Sequence, residues 1–372
     1  MTPTIVHVRS ARSRRAFLNL PRRIYGRGDA WIEPLRLELA QRLDPEKNAF
    51  FRQSDAVLFL ATHGRTVVGR ISAQIDRLAH PGDAPGEGNF GFYEAIDDRS
   101  VGAALFGAAE AWLRERRAKK MVGPYNFRLE DPAPGFLREG FHLRPMFMMP
   151  YSKPYYLDHA RQAGLTETMR LNSYSVTSEF PLPAWIVERV AQARRVPGLV
   201  VRPIDLAKLS EEAEIIRQIF NEALKNNWGF VPFTEKQVRA MARDLRRIAD
   251  PRIILIAEVD RRPVGVVINL PNYNDILHDC RGRLFPKGLY RILFRKSDIQ
   301  SMRGYAFAVL PEYQSQGIGV LLIAESWERC PAAGYRSGEI TWVLGDNTGM
   351  NSLAEGFGGK AEKQYAIYNK TL

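Results

Sequence analysis

Gln314, Ser315, Gln316, Gly317, Ile318 and Gly319 have the types and order of an anion-binding turn. They follow an apolar stretch that ends in Ala308 and Val309, and they open an amphipathic one. Glycines at a strand-to-helix turn let the backbone approach a ligand closely. The unpaired amides of the helix's first turn, with its dipole, then suit a phosphate group. A plain tight turn uses the same residues, so the context has to decide. Other chemistries lack their residues. His7, His63, His80, His142, His159 and His278 do not pair at metal-ligand spacing, so no metal centre is expected. No Gly-x-Ser-x-Gly elbow marks a serine hydrolase. Cys280 and Cys330 lack partners for nucleophilic use and are read as incidental.

The elements that must hold this turn occur twice. Around Gly69 and again around Gly265 the chain reads as an apolar strand, a polar turn, then Val-Gly and a second apolar strand. Ala61 matches Ala257, Arg65 matches Arg261, and Val68 matches Val264. Further on, Phe92 falls on Phe307, Ser100 on Ser315, Gly102 on Gly317 and Trp112 on Trp327. Val320, Leu321, Ala324 and Trp327 form one apolar helix face, and Ala104, Leu105, Ala108 and Trp112 do the same in the first copy. A further strand follows each helix, at 120–125 and 339–344. A period of roughly 200 residues means two similar domains, not a solenoid. The first domain is read as 1–176, a linker with a short helix as 177–198, and the second domain as 199–372.

Strand, (Gln/Arg)-x-x-Gly-x-(Gly/Ala), amphipathic helix resembles the acyl-CoA pyrophosphate loop of the GNAT acyltransferases. The resemblance implies a mixed α/β fold of two tandem GNAT-type domains, each a twisted mixed sheet flanked by helices. It implies that Gln314 to Gly319 hold the CoA pyrophosphate and that the backbone near Ala308 and Val309 borders the pantetheine. The first copy, Arg99 to Ala104, follows Asp97 and Asp98, whose charges would repel a pyrophosphate. The cofactor is therefore expected in the second domain. Phrases across the chain, among them Trp31-Ile-Glu-Pro-Leu35, Gly123-Pro-Tyr-Asn126, Gly282-Arg-Leu-Phe-Pro286 and Ile367-Tyr-Asn-Lys370, resemble a double-domain bacterial branch of that family. This branch includes bacterial ceramide synthases, which transfer a fatty acyl group from a thioester to the amine of a sphingoid base.

N-acylation needs an amine that has lost its proton and a proton for the leaving thiolate. Glu339, at the start of the strand beside the cofactor strand, is the expected base, unless it is only a strand-end residue. Asn347 and Asn351 either cap the helix 348–356 or bond pantetheine and acceptor. Many members of the family use a tyrosine of this helix as general acid. This chain has none between Trp342 and Gln364, so Tyr305 is a substitute, with Ser352 and Tyr368 as others. Residues 135–156, with Phe136, Met146, Met149 and Tyr156, would line an acyl-chain site or pack a core. Residues 281–296 carry Arg281, Arg283, Lys287, Arg291, Arg295 and Lys296 among Phe285, Leu289, Tyr290, Leu293 and Phe294. That pattern suits a lid, a packed helix, or a basic amphipathic segment on anionic lipid.

Composition sets the outer bounds. With 45% apolar and 25% charged residues in 372, the chain is globular, with room for two domains. The net charge of +12 favours a polyanionic partner. The basic residues are scattered, without zinc-finger or RNP-type spacing, so no nucleic acid is expected. Residues 1–20 show no secretory pattern, and no stretch reaches the ~18 apolar residues of a membrane helix. A cytoplasmic, membrane-peripheral acyl-CoA-dependent enzyme is expected. Acetyl or aminoacyl transfer to a soluble amine, peptide or peptidoglycan precursor, or ligand or lipid binding on the same scaffold, stays open.

Overall fold

The computed structural model describes residues 2–52, 54–79, 86–127 and 134–372; His80 lies outside them. In chain order the first elements are β1 (Thr4–His7), α1 (Ala11–Asn19), α2 (Pro21–Ile24), α3 (Arg36–Arg42), β2 (Ser54–His63), β3 (Thr66–Asp76) and β4 (Gly88–Ala95). They are followed by α4 (Arg99–Glu115), β5 (Lys120–Gly123), β6 (Phe136–Glu139), α5 (Tyr156–Gln162), β7 (Thr166–Thr177) and α6 (Ala184–Ala193). Next come β8 (Leu199–Pro203), α7 (Leu209–Ala223), α8 (Glu235–Leu245), β9 (Ile254–Val259), β10 (Arg262–Pro271), α9 (Asn274–Leu277) and α10 (Leu289–Phe294). The chain closes with β11 (Ser301–Val309), α11 (Ile318–Ala332), β12 (Ser337–Leu344), α12 (Thr348–Gly356) and β13 (Lys360–Thr371).

Contacts divide the chain into two compact units, and neither is continuous in sequence. One holds Met1–Leu171, Leu277–Leu293 and Lys363–Leu372; the other holds Asn172–Ile276 and Phe294–Glu362. The division read from the sequence is contiguous. The difference comes from pairing: the end of β13 binds β5 through Tyr368↔Gly123 and β6 through Gln364↔Glu139, so it folds with the first unit.

In the first unit the strands lie in the order β1-β2-β3-β4-β5-β13-β7, with β6 against β13. The β2–β3 hairpin turns at Gly64, whose φ is +57°. α4 buries Val101, Leu105, Phe106, Ala109, Trp112 and Leu113 at helical spacing against Ile71, Phe90 and Tyr93. Val101, Leu105, Phe106 and Leu113 each contribute roughly 1.5–3 kcal/mol when fully buried. The helix face is turned slightly from the expected one, because Ala104 and Ala108 are only half-buried. Residues 135–156 supply core: Phe136, Met146, Met149 and Tyr156 are buried, and Phe136 and Tyr156 join the same cluster.

The second unit repeats the plan in the order β7-β12-β11-β10-β9-β8. Asp260 and Arg261 both take positive φ, +50° and +67°, which makes the β9–β10 connection a two-residue turn of the mirror-image kind that matches strand twist. The repeated glycines have one purpose. A Cβ at Gly69 would lie 2.6 Å from Leu105 of α4, and one at Gly265 would lie 3.0 Å from Leu322 of α11. Each lets a helix settle directly on its sheet. Gly265 and Ile268 are an odd number of positions apart on β10, so they face opposite sides. α11 covers one side; α7 and α8 cover the other, where Ile268 lies.

Candidate functional site

The site grows out of a fork in the second sheet. β11 and β12 pair in parallel from Ser301↔Ser337 to Gly304↔Ile340, and there the ladder ends. Both strands continue, β11 to Val309 and β12 to Leu344. β11 keeps its antiparallel ladder to β10 through Val309↔Gly265, so its other edge opens toward the gap. Tyr305, Ala306 and Phe307 along that edge are half-buried, and Ala308 and Val309 are buried.

The predicted loop sits at the end of β11. Residues Pro311–Gln316 form a short 3-10 helix, and Gly317 then takes φ +78° as the residue before α11. Gln314 donates from Nε2 to the Val309 carbonyl at 3.0 Å, which ties the loop to the strand. No side chain caps the first turn of α11. Its amides and dipole are therefore offered without a competing carboxylate. A Cβ at Gly317 would lie 3.1 Å from the Arg189 carbonyl of α6, so α6 packs on the back of the turn. Gly317 thus answers to backbone conformation and to a helix neighbour. Gly317→Ala is expected to lower stability by about 1–2 kcal/mol through left-handed strain, read by chemical denaturation.

Glu339 stands at the base of the fork, buried, opposite Arg303 in the parallel ladder. Ser173 of β7 donates from Oγ to Glu339 Oε2 at 2.8 Å. Arg303, also buried, donates from Nε to Thr341 Oγ1 at 2.6 Å, and its guanidinium lies 5.2 Å from the Tyr305 ring centroid. The strands thus gather Glu339, Tyr305, Arg303 and Thr341 about the point where the ladder ends. Ser173, Arg303 and Thr341 were not foreseen. Ser173 is remote in sequence, and Arg303 reads as one more basic residue until strand register sets it beside a carboxylate.

Asn347 and Asn351 are both engaged within the protein. Asn347 Oδ1 accepts from the Met350 amide at 3.0 Å, which caps α12. Asn351 Oδ1 accepts from Asn172 Nδ2 and the Tyr174 hydroxyl at 2.9 and 2.8 Å. Its Nδ2 donates to the Leu344 and Asn347 carbonyls at 2.9 and 2.7 Å. Asn351 therefore fastens α12 to β7 and to the end of β12.

The first unit has the same fork, and its own chain fills it. β4 and β5 pair only at Gly88↔Met121 and Asn89↔Val122. Beyond them the Tyr125 amide donates to the Phe90 carbonyl at 2.7 Å, and Asn126 Oδ1 accepts from the Phe92 amide at 2.8 Å. Gln74 Nε2 donates to the Tyr125 carbonyl at 2.8 Å. The start of α4 is occupied as well: Asp98 Oδ1 accepts from the Ser100 amide at 2.8 Å and from its hydroxyl at 2.7 Å. Those bonds hold the Asp98 carboxyl below its ordinary range. The loop motif matches in both copies, and a carboxylate sits on the helix start in the first alone.

Among the described residues no cluster of His, Cys, Asp or Glu is arranged for a metal ion, and no helix is long and apolar enough to cross a membrane. Burial pushes the Cys330 thiol up to about 12 and raises that of Cys280, which leaves both poor nucleophiles.

This geometry agrees with what the chain is similar to. Residues 213–358 match the Acetyltransferase (GNAT) family. A protein named Bacterial ceramide synthase from Caulobacter vibrioides is 34% identical over 376 residues, covering 99% of this chain and 97% of that protein. Protein YghO of Escherichia coli strain K12 is 35% identical over 369 residues, covering 96% and 93%. Among solved structures, a tandem GNAT protein from the clavulanic acid biosynthesis pathway superposes with a TM-score of 0.57 at 12% identity, over 99% of this chain and 98% of that one. A GCN5-related N-acetyltransferase from Sphaerobacter thermophilus gives 0.54 at 14% identity, over 100% and 97%. The chain belongs to the GNAT family and is an N-acyltransferase with two tandem GNAT domains.

Proposed function

We propose that the second unit binds an acyl-CoA in the fork between β11 and β12 and passes its acyl group to the amine of a sphingoid base. The observation that carries this reading is the open fork beside an uncapped helix start, with a buried carboxylate at its base. In the first unit the corresponding features are filled by Tyr125, Asn126 and Asp98. The relative named for ceramide synthesis supports the choice of acceptor.

On this reading the amides of Ser315 to Gly319 and the α11 dipole hold the pyrophosphate. The unpaired edge of β11, near Ala308 and Val309, supplies backbone groups to the pantetheine. The thioester supplies the acyl carbon; the amine nitrogen bonds to it as the carbon–sulfur bond breaks. Glu339 takes the amine's proton, and Ser173 keeps the carboxylate oriented. Tyr305 provides a proton for the departing sulfur. Asn347 and Asn351 act by holding α12 beside the fork. Long-chain acyl-CoA and sphinganine incubated with the protein should give an N-acyl product by mass spectrometry. Product from acetyl-CoA and polar amines alone would reject the lipid acceptor.

Such substrates live in membranes, and one surface suits them. Phe285 is 75% exposed and Leu293 60%, with Leu289 and Tyr290 also exposed. The segment is anchored: the Gly282 carbonyl accepts from the Arg36 amide at 3.0 Å, and the Arg281 carbonyl accepts from Arg22 at 3.1 Å. Asp279 pairs with Lys287 at 2.7 Å and with Arg291. We take this segment to rest on an anionic leaflet at the cytoplasmic face, apolar side chains inward and basic ones at the headgroups. Changing Phe285 and Leu293 together to Asp is expected to weaken cosedimentation with phosphatidylserine vesicles by at least about 10-fold. Unchanged cosedimentation would reject the segment as the contact.

A further inference from the structure

The second unit contains an apolar cavity to which neither residues 135–156 nor residues 281–296 contribute. It lies between α7, α8 and the sheet, opens to solvent at one side, and is lined by residues such as Ala213, Ile216, Phe220, Val238, Ala242 and Tyr305. Of the residues around it, only Arg246 and Tyr305 bring polar side-chain groups. A cavity with apolar walls of this kind takes hydrocarbon in preference to water.

Its position selects the hydrocarbon. Tyr305 is the first β11 residue beyond the last ladder pair, Gly304↔Ile340, so it belongs both to the fork and to the cavity wall. On the function proposed above, on which this inference rests, the pyrophosphate lies at the far end of β11, after Leu310. The pantetheine then runs back along β11 toward the fork, and the thioester end comes to Tyr305. A long acyl chain prolongs that line into the space behind it. We infer that the cavity between α7 and α8 is the acyl-chain site and that its depth sets the chain length the enzyme accepts.

The test narrows the cavity from either wall, with Ala242→Phe on α8 and Ile216→Trp on α7. Acetyl-, octanoyl- and hexadecanoyl-CoA are compared at fixed sphinganine, and binding of a dansylated fatty acid is followed by fluorescence. The ratio of kcat/KM for hexadecanoyl- over acetyl-CoA is expected to fall about 10-fold in either folded variant, and the probe to bind about 10-fold more weakly. Equal losses across the three thioesters would overturn the assignment. So would a change in the preferred chain length of the base. Circular dichroism shows which variant is folded, and the folded one decides. If the unaltered protein turns over no thioester, the acyl-transfer reading fails separately. The probe still judges the cavity, since unchanged affinity in a folded variant rejects it.

Discussion

Glu339→Gln is expected to lower kcat/KM for acyl transfer by roughly 10²–10⁴-fold, the usual worth of a positioned general base. The substitution keeps the side chain's shape and its ability to accept from Ser173, so the fork should keep its form. What it removes is the capacity to take a proton from the attacking amine. The loss should therefore fall on kcat, with the dissociation constant for acyl-CoA within about two-fold of the original. Ser173→Ala, which frees the carboxylate to turn, should give a smaller loss in the same parameter. A buried strand-end residue with only a packing role would behave differently. It would lower the melting temperature and weaken acyl-CoA binding together. Unaltered kcat in Glu339→Gln would reject Glu339 as the base.

The structure also shows which parts of this arrangement can be read in a linear sequence. The duplicated hairpins could, because Gly69 and Gly265 mark a contact that both copies need, helix against sheet. The turn at Gly317 could, because a left-handed residue before a helix restricts the amino acid locally. Features that depend on strand register could not. Arg303 stands opposite Glu339 only because β11 and β12 are parallel and begin together at Ser301 and Ser337. Ser173 reaches Glu339 across a long stretch of intervening chain. The apolar cavity was hidden for a related reason. Residues such as Ile216, Phe220, Val238 and Ala242 have the periodicity of ordinary packed helices, and periodicity does not reveal whether two such faces close on each other. For residues 135–156 the sequence left a binding surface and a core both open, since methionines and aromatics suit either, and burial decides for core.

Ser315→Asp should raise the dissociation constant for acyl-CoA by about 10–100-fold, corresponding to ~1.5–3 kcal/mol for lost hydrogen bonds to a charged group. The reasoning comes from the first unit. There Asp98 occupies the start of α4 through the Ser100 amide and hydroxyl, and its carboxyl is held below its ordinary range by those bonds. A carboxylate so placed uses the amides that a phosphate would take and opposes the phosphate's charge. Ser315 is exposed in the corresponding loop of the second unit, so the new side chain can be accommodated without disturbing the core. Unlike a substitution at Gly317, it imposes no left-handed strain and leaves the contact with α6 intact. The expected signature is weaker acyl-CoA binding by calorimetry at an unchanged melting temperature. The penalty should shrink as salt is added, because repulsion between exposed charges is screened over a Debye length of ~10 Å at 0.1 M. Affinity unchanged in Ser315→Asp would mean that the pyrophosphate lies elsewhere, and would remove the loop from the proposed site.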